Sequence, residues 1–197
     1  MNARYAPTGI PEAKAALRSQ IRSFLGQMSE AERAGASRAL CERLASQEIW
    51  HKAESVLFYA PMAQEPDVWP LLVSGLTAGK TVALPRYLPE QRDYAAARIL
   101  DPEREVRLGY FGIREPAASC EEITFNRLSL VLVPGLAFDP HGRRLGRGRG
   151  YYDRLLANVR SVTCGVAFDG QLVPEVPADA HDVRLNCVLT PTRWMVV

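Results

Sequence analysis

The chain has 197 residues, 47% of them hydrophobic and 23% charged, with 24 basic side chains against 22 acidic ones. That length supports one sizeable core and so one domain, and the balance of charge argues against nucleic-acid binding by bulk electrostatics. No apolar stretch approaches the roughly 18 residues that a membrane-spanning helix needs. The opening MNARYAPTGIP lacks the apolar run of a signal peptide and reads as a loose leader over residues 1–11, ahead of a single domain over 12–197. Cys41, Cys120, Cys164 and Cys187 form no C-x-x-C pair, which points to reduced thiols and a cytoplasmic setting, and Cys164 and Cys187 sit in apolar strand-like runs where a buried free thiol is expected.

From Pro11, Leu17, Ile21, Phe24, Leu25 and Met28 recur on one stripe and predict a helix. Ser29-Glu-Ala-Glu32 is a capping box, so a second helix starts there and runs to about Ala45. Ser55 to Pro61 reads as a short strand apolar on both faces. Asp67 is placed to cap a helix through Trp69, Leu72, Val73 and Leu76 that stops at Gly79. Strands follow at Thr81 to Pro85 and, more weakly, at Tyr94 to Leu100, then a polar, proline-containing stretch to Glu122. Leu128 to Pro134 is a strong buried strand, and a helix follows through Tyr152, Leu155, Leu156 and Val159. Val162 to Phe168, Leu185 to Leu189 and Trp194 to Val197 complete the strands. Strands alternating with helices predict an α/β fold whose mainly parallel sheet is covered on both faces. In such folds ligands bind beyond the carboxyl ends of the strands, where the loops after Ala60, Pro85, Pro134 and Phe168 are expected to gather.

Between the strand ending at Pro134 and the next helix lies PGLAFDPHGRRLGRGRGYYDRLL, with Arg143, Arg144, Arg147, Arg149 and Arg154 close together. Glycines let a backbone approach an anion and take positive φ, helix starts offer unpaired N–H groups, and arginines bind phosphate oxygens in pairs. The spacing fits neither G-x-x-x-x-G-K-[ST] nor G-x-G-x-x-G, because the position after Gly150 is Tyr151. Spacing alone favours a phosphate loop over a solvated basic turn or an RGR-type nucleic-acid patch, without excluding either. The three histidines show no metal-ligand spacing.

The segment from Pro134 to Asp153 resembles the signature of the 5-formyltetrahydrofolate cyclo-ligase family, approximately P-G-x-x-F-D-x-x-G-x-R-L-G-x-G-x-G-[YF]-Y-D. Lys14-x-x-x-Arg18, Met62-x-x-Glu65, Leu84-Pro-Arg-Tyr87, Gly112-Ile-Arg-Glu-Pro116 and His181-Asp182 match further elements of the pattern. The resemblance implies an enzyme that cyclises 5-formyltetrahydrofolate to 5,10-methenyltetrahydrofolate with ATP and Mg²⁺, releasing ADP and phosphate. It also implies a three-layer α/β/α domain like that of sugar-phosphate isomerases and CoA transferases. The implied partners are these small molecules, without nucleic acid or membrane, in a monomer or weak homodimer.

Carried over by resemblance, Lys14, Arg18, Arg144, Gly146, Arg147, Gly148, Arg149, Gly150, Tyr151 and Tyr152 would bind ATP. Arg147, Arg149 and Tyr151 would serve catalysis, with Arg147 on the γ-phosphate, and the run from Arg147 to Tyr151 would also touch the folate. Glu65 would anchor the pterin, while Tyr87, Phe111 and Ala60 would contact the same substrate. Asp153 and Asp182 would hold the metal, and Asp139 would stabilise the loop. One departure stands out: the family often reads H-D-x-x-x-D, whereas here the last position is Asn186, which would weaken metal binding if it touches the metal shell.

Overall fold

A computed structural model describes residues 9–179 and 182–197. The first helix, α1 (Ile10–Gln27), takes in the last two residues of the expected leader; residues 1–8 lie outside the described part. α2 (Glu30–Ala45) begins at the predicted capping box: the Ser29 hydroxyl accepts the Glu32 N–H at 3.2 Å and the Glu32 carboxylate accepts the Ser29 N–H at 2.7 Å. After α3 (Glu48–Lys52) and β1 (Ser55–Leu57), Asp67 accepts the Trp69 N–H at 2.9 Å at the start of α4 (Trp69–Thr77). β2 (Thr81–Leu88) runs three residues past its expected end and turns into β3 (Asp93–Ile99).

The stretch from residue 101 to 122 has structure that its polar sequence hides. A single turn, α5 (Pro102–Glu105), leads into a hairpin of β4 (Val106–Leu108) and β5 (Arg114–Pro116), and β6 (Glu122–Ile123) then joins β3. Next come β7 (Leu130–Pro134), a small ribbon of β8 (Ala137–Phe138) with β9 (Arg144–Leu145), and α6 (Tyr151–Ala157). β10 (Val162–Val166), β11 (Cys187–Leu189) and β12 (Trp194–Val196) close the chain.

The eight-stranded sheet has the order β12-β11-β10-β7-β1-β2-β3-β6. Its five central strands, from β11 to β2, are parallel; β12 and β3 run against them and β6, antiparallel to β3, runs with them again, so the sheet is mainly parallel, as expected, with antiparallel pairings at both sides. The antiparallel edges arise where β2 meets β3 and β11 meets β12 through short turns that leave no room for a crossover helix. Both faces of the centre are covered. Val56, Phe58, Leu130 and Leu132 pack with Leu40, Leu44 and Leu72 of α2 and α4, while Leu57, Val131 and Val133 pack with Leu155 and Leu156 of α6. This alternation of two apolar faces is why β7 reads as an unbroken Leu-Val-Leu-Val run. A third cluster joins Ile21 and Leu25 of α1 to Leu136, Leu145 and Phe168, and so fixes α1 beside the Gly/Arg loop.

Candidate active site

A cavity of about 330 Å³ opens at the carboxyl ends of the parallel strands and has Ala60, Pro85, Pro134 and Gly135 among its lining residues. This edge is the one the sequence predicted, and the volume is within the usual range for a small-molecule site. Two of the four expected loops, after Ala60 and after Pro134, meet there, and Pro85 reaches the cavity from within β2 rather than from a loop, because that strand runs on to Leu88. The fourth, after Phe168, buttresses it: the Gln171 amide donates to the Gly135 and Leu136 carbonyls at 2.9 and 3.1 Å.

The Gly/Arg loop is fixed at both ends. Asp139 is fully buried and accepts the N–H groups of His141, Arg143 and Val176 at 2.9–3.0 Å, the stabilising role expected of it. Gly148 and Gly150 have φ of +101° and +68°, a region that side chains with a Cβ rarely adopt, which explains the glycines at these two turns. Gly150 is the N-cap of α6, and that helix has only seven residues, so the charge in this site comes mainly from side chains.

The arginines turn inward onto carboxylates. Arg147 donates from Nε and Nη2 to Glu65 Oε1 at 3.1 and 2.8 Å, with the Glu65 side chain only 7% exposed. Glu65 Oε2 accepts the Met62 N–H at 3.0 Å, which holds the acid on its turn after β1. Arg144 is buried, donates to Asp153 at 2.5 Å and to the Pro134 carbonyl at 3.3 Å, and leaves Nε without a partner. Arg149 lies 4.9 Å over the Phe111 ring. Arg143 pairs outward with Glu175, and Arg154 covers the Tyr151 ring.

Tyr87, Tyr94, Phe111 and Tyr151 form an aromatic wall with centroids 5.2–6.0 Å apart, and the Tyr87 and Tyr151 hydroxyls are 3.4 Å apart. Burial, then the charge of Glu115, pushes the Tyr94 phenol up to about 12, and burial raises the Tyr152 phenol further, so both stay neutral. Phe111 reaches the wall from a tight turn in which it and Gly112 both have positive φ, +59° and +69°. A phenylalanine in this conformation is strained, at a cost of roughly 1–3 kcal/mol, and is held by its ring contacts.

Of the residues assigned from sequence, Ala60, Glu65, Phe111, Tyr151, Tyr152 and Asp153 line the cavity, as do Arg144, Gly146, Arg147, Arg149 and Gly150. Tyr87 stands just behind, against Tyr151 and Phe111. Arg18 donates to the Gly146 carbonyl at 3.0 Å and lies beside Gly148, on the outer side of the loop. Lys14 is tied to Asp179 and Asp182, each at 2.7 Å. Burial pulls the Lys14 ammonium down, and its bonds to the two carboxylates outweigh that and hold it above its ordinary value.

The two expected metal ligands do not share a recess: Asp153 lines the main cavity, and Asp182 lines a separate one with Arg143 and Asp179. Among the described residues no group of three acidic, histidine or cysteine side chains is placed to hold a metal ion. His181 lies outside the described residues. Asn186 sits away from the carboxyl edge. Its side-chain oxygen accepts the Thr163 N–H and hydroxyl at 2.8 and 2.9 Å, and Thr163 pairs with Val131, three residues below the Val166–Pro134 pair. The missing charge at this position therefore does not bear on the cavity.

Sequence reasoning passed over Glu115 and Tyr94, both of which line the cavity. Glu115 lay inside a quoted motif, but a glutamate in a polar stretch gives no sign of being buried. The four cysteines are free, and Cys41 and Cys120 are buried along with Cys164 and Cys187, where burial was expected; burial raises the Cys41 thiol to about 11. Among the described residues no helix is long and apolar enough to cross a membrane.

A cationic loop facing an aromatic wall at the carboxyl edge of an α/β sheet is suited in its chemistry to an anionic group beside a planar ring. The sequence model of the 5-formyltetrahydrofolate cyclo-ligase family matches residues 10–191, and the chain belongs to that family. A 5-formyltetrahydrofolate cyclo-ligase from Mycolicibacterium smegmatis is 34% identical over 94% of this chain and 97% of its own length. The mouse enzyme of the same name is 28% identical over 93% of this chain and 96% of its own. The solved structure of a 5,10-methenyltetrahydrofolate synthetase from Aquifex aeolicus superposes with a TM-score of 0.84, at 33% identity over 93% of this chain and 92% of that one.

Proposed function

We propose that this cavity converts 5-formyltetrahydrofolate to 5,10-methenyltetrahydrofolate at the expense of ATP. Family membership supports the reaction. The observation that carries the assignment to this cavity is the Glu65–Arg147 pair, which joins the folate-side acid to the phosphate loop.

A formyl amide resists ring closure because resonance makes its carbon unreactive and oxide is a poor leaving group. Transfer of the γ-phosphoryl group to the formyl oxygen removes both obstacles: N10 attacks the resulting iminium carbon, the C–O bond breaks and phosphate leaves. The protein must then align two substrates and stabilise phosphoryl charge. Arg147 and Arg149 suit the moving phosphoryl group, Tyr151 the formyl oxygen, and Glu65 the donor N–H groups of the pterin. Phe111, Tyr87 and Tyr94 supply the stacking surface. Lys14 and Arg18, on the α1 ridge, extend the cationic track towards the rest of ATP.

Asp153 fits a magnesium ion held largely through phosphate oxygens and water, since such ions need only one or two carboxylates, the Asp153 side chain is 39% exposed and Arg144 takes only its Oδ1. Such an ion would neutralise phosphate charge. Asp182 fits less well, being engaged by Lys14 and the Asp179 N–H.

Two other readings lose support. A nucleotide-binding module without turnover would draw its support from Asn186 in place of the family's usual acid, and Asn186 is bonded to Thr163 within the sheet. An RNA-binding strip needs outward arginines, and Arg144 and Arg147 are held by carboxylates. Incubation with 5-formyltetrahydrofolate, ATP and Mg²⁺ should yield the methenyl chromophore. No product at high enzyme concentration would overturn the assignment.

A further inference from the structure

We propose that Glu115 is the base that accepts the proton from N10 as that amine attacks the activated formyl carbon. The inference rests on the folate reading above. N10 enters the reaction with a hydrogen and leaves without one, so some group at the cavity must take it.

The lining carboxylates are Glu65, Glu115 and Asp153, and no histidine lines the cavity among the described residues. Glu65 Oε1 is held by Arg147 and Asp153 Oδ1 by Arg144, so each of these acids is already paired with a cation. The arginines cannot accept a proton at all, and the cavity-lining phenols are acids rather than bases near neutral pH.

Glu115 differs from the other two acids. It is 7% exposed and, among the described residues, no cation lies within ion-pair distance. The charged groups around it are occupied elsewhere. Arg107 is its registered partner across the β4–β5 hairpin, but its guanidinium donates to the Glu103 and Val106 carbonyls. Arg114 stacks 3.7 Å over Trp69, and Arg149 covers Phe111. From the sheet, Tyr87 and Tyr94 face it, and the Tyr87 N–H reaches it only at 3.4 Å. Tyr110 contributes a backbone N–H from the turn. Room for the carboxyl depends on Gly109, where an added Cβ would fall 2.7 Å from the Glu115 carboxyl carbon. A buried carboxylate with no cation is costly to keep, and a site that needs a proton acceptor supplies a reason to keep it.

The step balances without a further reagent. N10 gives its electron pair to the formyl carbon and its proton to Glu115, the C–O bond breaks with the electron pair leaving on phosphate, and Glu115 then releases the proton to water. Burial, partly offset by the two backbone N–H groups, raises the Glu115 carboxyl above its ordinary value and makes it a stronger base than an exposed glutamate.

The test is Glu115→Gln, which keeps the shape and one acceptor oxygen. We expect kcat for methenyl formation to fall about 100-fold or more, with KM for both substrates changing by less than about threefold. The wild-type kcat, corrected for uncatalysed cyclisation, should rise with pH through a single limb centred above the ordinary glutamate value, and Glu115→Gln should lack that limb. Formate should partly restore Glu115→Ala. Turnover of Glu115→Gln within fivefold of wild type, or a rise in folate KM alone, overturns the proposal. A flat wild-type profile does so even if neither variant folds. If wild type makes no methenyl product, it is the functional assignment itself that fails.

Discussion

Arg147→Ala tests the coupling at the centre of the site. The substitution removes the cation and leaves Glu65, 7% exposed, as a carboxylate without its partner. Orphaning one member of a fully buried pair costs about 3–5 kcal/mol. The Arg147 side chain is 36% exposed, so water screens part of the interaction and reduces the cost to about 1–2 kcal/mol. For a chain of this size that is a fall in Tm of about 3–6 °C. Glu65→Gln should cost less, because it strands a half-exposed arginine rather than a buried acid. The double variant should be more stable than Arg147→Ala alone, since the orphaned charge is gone. Thermal melts of the three variants measure this directly, and additive losses would refute the reasoning. Function should separate the variants in another way. Arg147→Ala should lose on the order of 10²-fold in kcat/KM. Glu65→Gln should bind a non-hydrolysable ATP analogue up to about fivefold more tightly, because Arg147 no longer has to leave the acid, and weaker binding would contradict that picture.

Glu115→Gln should melt at or above the wild-type temperature at neutral pH. The raised carboxyl means that the folded state binds its proton more tightly than the unfolded chain, so this group lowers stability as pH rises through its folded pKa. The difference should close as pH falls below the ordinary glutamate value, which paired melts between about pH 4 and 8 will show. Gly148→Ala, at φ of +101°, should cost about 1–2 kcal/mol and lower kcat/KM for ATP more than for folate; the new Cβ meets Arg18 only at 3.6 Å, so backbone strain is the cause. Asn186→Asp should leave the Mg²⁺ dependence of turnover within about twofold of wild type, because the residue bonds Thr163 within the sheet. A marked gain in Mg²⁺ affinity would show that the metal reaches that end of the strands.

What could be read from sequence follows from how local each signal is. The capping box at Ser29, the two-faced apolar run of β7 and the glycines of the Gly/Arg loop each depend on neighbouring residues alone, and each appears where it was expected. The antiparallel edges were harder to read, since β2 and β3 carry the same apolar composition that a parallel strand would. The β4–β5 hairpin was hidden because its turn puts a phenylalanine where glycine or asparagine is normal, a choice enforced by rings on β2 and α6. Burial of Glu115 depends on Gly109 and on strand β2, and no window of sequence contains both.

The charges of the site are organised by the same long-range placement. A loop with this many arginines would repel itself in the absence of ligand, and the structure offsets that with carboxylates delivered by other elements: Glu65 from the end of β1, Asp153 from α6, and Asp179 with Asp182 onto Lys14. Each of these acids holds a cation in place. An acid that must handle a proton cannot also be bound to an arginine, because the paired cation lowers its affinity for that proton. Glu115 meets this condition because Arg114 and Arg149, which line the same cavity, lie against Trp69 and Phe111, while Arg107 across the hairpin donates to backbone carbonyls. The aromatic side chains of the site therefore do more than offer a stacking surface: by holding Arg114 and Arg149 they keep one carboxylate in the cavity free of cations.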